Sequence, residues 1–364
     1  MNNIPIYKPD LSGNEKAYVD ECLDSTWISS KGSFIEKFET GFAKFTGIDN
    51  AVSVSNGTVA LHIALLALGI GPDDEVIVPT LTYIASVNAI TYVGAKPVFI
   101  DSLESTWQMD PEDIARKITD KTKAIMVVHL YGQPCDMDSI AAIAKDNDLK
   151  IIEDCAEAIG GMYNGQHVGN VGDVAAFSFF GNKTITTGEG GMVLSNDRAT
   201  ADKARKLKGQ GLAEGREYWH DIIGYNYRLT NMSAAVGVAQ LERIDDFITA
   251  KFALAQAYKE NLTAKGITFH PEAKGTTNSY WMCSILVDEP SKRDGLREAL
   301  KAKGIETRPL FFPIHTMPMY QDEGNYPVAV DLAARGINLP SWPGLESDDI
   351  KLITDTINEF META

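Results

Sequence analysis

The 364-residue chain sets 33 lysines and arginines against 50 aspartates and glutamates, a formal net charge of −17 at pH 7. That balance argues against a general nucleic-acid or anionic-membrane surface, and an anionic substrate would need a local pocket of basic groups and backbone N–H donors. With 44% hydrophobic and 23% charged residues, the composition is that of a globular protein with one large and one small domain, or a single large α/β unit.

Residues 1–10, MNNIPIYKPD, have no basic stretch leading into an apolar core, so no secretory signal is expected there. LSGNEKAYVDECLDS predicts a capped helix, and STWISSKGSF a polar turn whose Trp27 anchors the N-terminal arm to the core. FIEKFETGFAKFTG predicts an amphipathic helix, with Phe34, Phe38, Phe42 and Phe45 near helical spacing and so in the core. Val52 and Val54 then lead through Ser55, Asn56, Gly57 and Thr58 into an apolar helix over 59–68. That run is too short to span a bilayer. Small residues and open N–H groups at a helix N-terminus favour an anion, with Gly57 and Thr58 as donors. A simple N-cap by Ser55 or Asn56 accounts for the same residues.

EVIVP is the next strand, and Tyr83 lies just past its end, placed either to stack on a flat ligand or to fill the core. KPVFID predicts a strand, PEDIARKI a helix, and TKAIMVVHLYG a strand ending at His129, read as a positioned packing residue. A helix over 137–148 follows. The alternation of strand and helix is that of an α/β protein with a parallel sheet covered on both faces.

Ile151 and Ile152 run into Glu153 and Asp154, a buried strand with Asp154 at its carboxyl end, where parallel sheets place ligand crevices. Glu157 reads as an exposed acid of a first helical turn, and Ser178, on a strand over 175–179, as a hydroxyl bonding its own backbone. Lys183 follows in a loop of Gly, Asn and Thr closed by Gly188, Gly190 and Gly191. A carboxylate at a strand end and a lone lysine beyond the next strand suit one chemistry. A lysine amine forms Schiff bases with carbonyls. Pyridoxal phosphate needs such a lysine, plus an acid facing its pyridinium nitrogen. A helix cap at Asp154 and a solvated cation at Lys183 fit the spacing equally well.

KARKLKGQGL reads as a solvated basic face. A long helix from about residue 246 bridges to a smaller unit with strands such as SYWMCSILV, giving domains at 1–245 and 246–364. In its Pro-rich loop, Arg308 and His315 can meet phosphates or hydroxyls. Cys22, Cys135, Cys155 and Cys283 are far apart and form no CxxC pair, so neither a metal site nor a disulfide scaffold is expected, and a reducing cytoplasm is the default.

The blocks SNGTVAL, PTLTYIAS, VHLYGQPCDM, EDCAEAIG, FSFFGNKTITTGEGGMV and GYNYRLTN, continuing to RGINLPSWPGL, resemble the sugar aminotransferases of the aspartate-aminotransferase fold. The likeness covers nearly the whole chain. It implies a type I pyridoxal phosphate fold, with a large domain of mainly parallel sheet and a smaller C-terminal α/β domain. The implied activity is transfer of an amino group from L-glutamate to a nucleotide-linked keto-sugar, most nearly at C4 of GDP-4-keto-6-deoxy-mannose. It implies Lys183 as the cofactor lysine and general acid/base, Asp154 opposite the ring nitrogen, Tyr83 and Glu157 beside the ring, and Gly57, Thr58 and Ser178 at the phosphate. Asn226 and Arg228 fall in the motif that reaches across a homodimer interface toward the neighbour's site. Trp27, Arg308 and His315 lie in segments near the sugar nucleotide. Dehydratases of the same fold carry histidine where this chain has Lys183, which favours transamination. A nicotinamide oxidoreductase would need GxGxxG where SNGTVA stands. A non-catalytic sugar-binding relative would be expected to have lost Lys183 or Asp154.

Overall fold

The computed structural model describes residues 3–363. Its centre is a seven-stranded sheet in the order Asn50–Val54, Gly191–Ser195, Val174–Ser178, Lys150–Asp154, Thr122–Val128, Glu75–Pro79, Lys96–Ile100. The inner strands are buried along almost their whole length, which is why they read as continuous Val/Ile runs rather than as alternating patterns. Six strands run parallel. Gly191–Ser195 runs against both of its neighbours. The predicted alternation breaks here for a physical reason. No helix lies between Ser178 and Gly191, and a parallel return needs a crossover of about a dozen residues or more, usually helical.

The reversal brings several chain positions to one end of the sheet. Ser178 and Val54 both pair with Gly191, and Asp154 pairs with Val128 on one side and Ala176 on the other. The helix Gly57–Leu68 leaves from that end. As expected, Phe34, Phe38 and Phe42 are core residues, with the Phe42 ring 5.1 Å from those of Phe177 and Phe179. Phe45 is only partly buried. The basic stretch departs from its reading as a solvated face. Lys208 is buried, its Nζ donating to the Ser53 carbonyl at 2.6 Å and to Glu39 at 3.1 Å.

A second, antiparallel sheet holds Ile267–Phe269, Cys283–Val287, Gly336–Leu339 and Arg308–Pro309 in that order. The helix Ile244–Asn261 spans two apolar clusters: Ile244 and Phe247 pack with the phenylalanines, Leu254 and Tyr258 with the second sheet. Ile4 joins the second cluster and bridges to Ile305, so the start of the arm is held by the C-terminal unit. All four cysteines are free and buried. Among the described residues no helix is long and apolar enough to cross a membrane.

Candidate active site

Lys183 sits in a tight turn just beyond the strand Val174–Ser178. Its N–H donates to the Phe180 carbonyl at 3.0 Å, and its own carbonyl accepts the Tyr7 hydroxyl at 2.6 Å. The side chain is 11% exposed, with Nζ 3.8 Å from Glu157 Oε1 and 3.9 Å from the centre of the Trp281 ring. Burial pushes the amine below the ordinary lysine range, against the pull of Glu157 and Asp154. Burial pushes the Glu157 carboxyl up, and the Lys183 charge and the Tyr131 N–H, 2.9 Å from Oε2, hold it partly back. The two groups therefore approach each other in acidity, which suits passage of a proton. Glu157 is thus a buried neighbour of the lysine and not the exposed first-turn acid that its sequence position suggests.

Asp154 is also buried. Desolvation raises its carboxyl above the usual range, while the Ser86 hydroxyl (2.7 Å to Oδ2) and the Ala156 N–H (3.1 Å to Oδ1) favour the charged form. Its carboxylate is thereby fixed in direction at the end of its strand. The Ser86 N–H donates in turn to the Tyr83 carbonyl at 3.3 Å. Tyr83 is 57% exposed, 5.6 Å from the Phe311 ring, and lines a cleft of about 460 Å³ with Asn182, Trp281, Arg308 and Phe311. It is not the buried core tyrosine of the alternative reading.

At the other side of the sheet end, Asn56 Oδ1 caps the helix by accepting the Val59 N–H at 3.0 Å. The cap reading of Asn56 and the anion reading of Gly57 and Thr58 are both satisfied. The cap takes the third N–H of the helix, and the N–H groups of Gly57 and Thr58 have no partner within it. Ser178 closes over them: a Cβ on Gly57 would lie 2.7 Å from Ser178 Cβ and 2.9 Å from its Oγ. A Cβ on Gly191 would lie 2.5 Å from the Asn56 carbonyl, so only glycine lets the returning strand pass behind this turn. The N–H groups of Gly57 and Thr58 and the Ser178 hydroxyl thus gather at a helix N-terminus, with Thr58 in the same first turn, a donor set suited to phosphate.

Pyridoxal phosphate fits these residues: a buried amine, a backed carboxylate, an exposed aromatic ring and an anion cradle occupy one end of one sheet. Arg308 is at the cleft, held by Glu306 at 2.5 Å. His315 does not line it. Its Nδ1 is bonded to Thr80 Oγ1 at 2.7 Å and its ring packs on Tyr326 at 4.5 Å. Asn226 and Arg228 are exposed and bonded to each other at 3.0 Å, beside Val54 and Ser55. Trp27 is 56% exposed, so its indole does not anchor the arm in the core; its carbonyl accepts the Asn231 amide at 2.7 Å. His129 is the packing residue expected, fully buried, with Nε2 2.9 Å from Glu153 and Nδ1 accepting the Cys135 N–H.

Residues 9–358 match the DegT/DnrJ/EryC1/StrS aminotransferase family. The chain belongs to this family. As a member it is a pyridoxal phosphate-dependent aminotransferase. It is 59% identical over 361 residues to the GDP-perosamine synthase of Escherichia coli O157:H7, covering 99% of each chain. It is 51% identical to the GDP-perosamine synthase of Vibrio cholerae, covering 98% of this chain and 99% of that one. Among solved structures it resembles the aminotransferase TlmJ of Streptoalloteichus hindustanus (TM-score 0.94, 31% identity, 99% of this chain and 99% of the other).

Sequence reasoning missed Trp281, Tyr131, Ser86 and Tyr7, which touch the lysine or hold the two carboxylates. Only Trp281 carried a signal, a large aromatic at the start of an apolar strand, and core filling explains that equally well.

Proposed function

We propose that the protein transfers the amino group of L-glutamate to C4 of GDP-4-keto-6-deoxy-D-mannose, giving GDP-perosamine for O-antigen synthesis in the cytoplasm. The observation that carries this reading is the whole-length identity of 59% and 51% to two GDP-perosamine synthases. It is supported by a lysine in the loop position where same-fold dehydratases have histidine.

When bound, pyridoxal phosphate supplies a carbonyl for the amino group and an electron-accepting ring. The chain's own residues do the rest. Lys183 holds the cofactor and afterwards moves a proton with its amine, whose acidity burial has raised. Asp154, aimed by Ser86 and Ala156, keeps a negative charge opposite the ring nitrogen. Tyr83 covers one ring face, and Glu157 stands beside the lysine. Gly57, Thr58 and Ser178 hold the phosphate. Arg308 meets the anionic nucleotide at the cleft. Asn226 and Arg228, exposed in a single chain, are offered to the site of a second subunit in a homodimer, as is Trp27 to its sugar. Thr80 holds His315 in the Pro-rich loop through Nδ1, and Nε2 is the atom that would meet a substrate hydroxyl or phosphate. We take residues 1–245 as the large domain and 246–364 as the small one, with the helix Ile244–Asn261 between them.

The test is product formation. The protein with pyridoxal phosphate, L-glutamate and GDP-4-keto-6-deoxy-mannose should yield a nucleotide sugar with nitrogen at C4 by NMR. Amination only of a UDP- or dTDP-linked keto-sugar would refute the substrate and leave the reaction class standing.

A further inference from the structure

Lys183 must place its amine in two situations: attached to the cofactor, and free while the amino group is in transit. Among the described residues no acceptor lies within hydrogen-bond range of Nζ. The nearest carboxylate oxygen is Glu157 Oε1 at 3.8 Å, and the amine rests 3.9 Å over the Trp281 ring. An ammonium that lacks acceptors gains most from a ring face when both are shielded from water. Trp281 is 5% exposed.

The indole is fixed on every side. Its Nε1–H donates to the carbonyl of Asn182, the residue before the lysine, at 2.7 Å. Its own carbonyl accepts from Lys251 Nζ, a fully buried amine, at 2.9 Å. The Tyr131 ring lies parallel to it at 6.2 Å and 9°. Tyr131 also donates its N–H to Glu157, and its hydroxyl accepts the Phe311 N–H at 2.8 Å. The chain accepts a left-handed conformation at Tyr131 (φ 56°) to put the ring there.

We propose that Trp281 is a positioning residue for the catalytic lysine: its ring face receives the Lys183 amine whenever that amine is free, and its N–H fixes the Asn182 peptide from which the lysine swings. The charged groups facing that amine are Glu157 and Asp154, and Tyr131 presents its N–H to the first of these. The proposal rests on Lys183 being the cofactor lysine.

The experiment measures the free amine directly. Cofactor-free protein is acetylated with trace acetic anhydride across pH 6–10, and the Lys183 peptide is quantified by mass spectrometry. Removing the ring face in Trp281→Leu should shift the midpoint of labelling to lower pH, because a cation at a ring face is held in its charged form. The shift should correspond to about a three- to thirtyfold change in the protonation constant. In the cofactor-loaded enzyme kcat should fall by a similar factor, with KM for glutamate within about twofold. Trp281→Phe, which keeps a smaller ring face and loses the N–H, should show a smaller shift in the same direction, and it decides the matter if the leucine variant does not fold. A midpoint that is unchanged or moves up in either folded variant overturns the proposal. Lys183→Met separates the two failures. If that variant keeps the cofactor's visible band, the assignment of Lys183 fails. If it loses the band while the tryptophan variants label normally, only the role of Trp281 fails.

Discussion

Adding one methyl group at Gly57 tests the phosphate cradle at its tightest point. In Gly57→Ala the new carbon would stand 2.7 Å from Ser178 Cβ and 2.9 Å from Ser178 Oγ. Carbon atoms rest about 3.5–4.0 Å apart, so the pair must separate by roughly 1 Å. Ser178 yields poorly, because its strand pairs with Lys150–Asp154 on one side and Gly191–Ser195 on the other. The helix start or the serine hydroxyl must therefore leave its place. Overpacking costs about 1–3 kcal/mol, and replacing a helical glycine by alanine returns up to about 1 kcal/mol, so the fold survives with a small loss. The cofactor suffers more. Losing one charge-assisted hydrogen bond to its phosphate, worth about 1.5–3 kcal/mol, weakens binding about ten- to a hundredfold. Absorbance titration of cofactor-free protein with pyridoxal phosphate reads the affinity, and thermal unfolding of the same sample reads the fold. An affinity within twofold of wild type, with the protein folded, would refute the assignment of Gly57 and Ser178 to the phosphate.

Three further outcomes are expected. Lys183→Ala should abolish turnover while the cofactor-free protein still unfolds in a single cooperative thermal transition; measurable transamination would contradict its role. Asp154→Asn should cut kcat severely while Lys183 still binds the cofactor, seen as a retained visible band; near-normal kcat would remove Asp154 from the ring nitrogen. The third concerns pH. His167 is buried, its Nε2 accepting the Gly160 N–H at 2.9 Å and its Nδ1 paired with the Val168 carbonyl at 2.7 Å, and burial holds its pKa down to about 4. The native state stays neutral where the unfolded chain, near 6.5, takes up a proton. This contribution is complete above pH 6.5 and is lost as pH falls toward 4, at up to about 1.4 kcal/mol per pH unit. Urea unfolding at pH 6.5 and 5.0 should show the loss, and equal stability at both would contradict it.

The legible part of the molecule was the part written in short-range pattern. Runs such as Ile151–Ile152 ending in Asp154 announce a buried strand and a carboxylate at the crevice, and the Asn56–Gly57 turn announces a helix start. The phenylalanine spacing over 34–42 announced its own burial. The partners of those residues were not legible, because they come from far along the chain: Trp281 reaches back to Asn182, and Ser86 reaches forward to Asp154. Neither spacing nor composition marks such a contact. The same blindness made Glu157 look exposed and Lys208 look solvated, since each is buried by a segment that the local pattern does not contain.

The most direct test is the visible absorption spectrum of the protein loaded with pyridoxal phosphate, recorded before and after L-glutamate and again after GDP-4-keto-6-deoxy-mannose. A visible band that glutamate bleaches and that the GDP-linked keto-sugar restores is the expected result. A band unmoved by glutamate, or one restored only by a keto-sugar on another nucleotide, would contradict it.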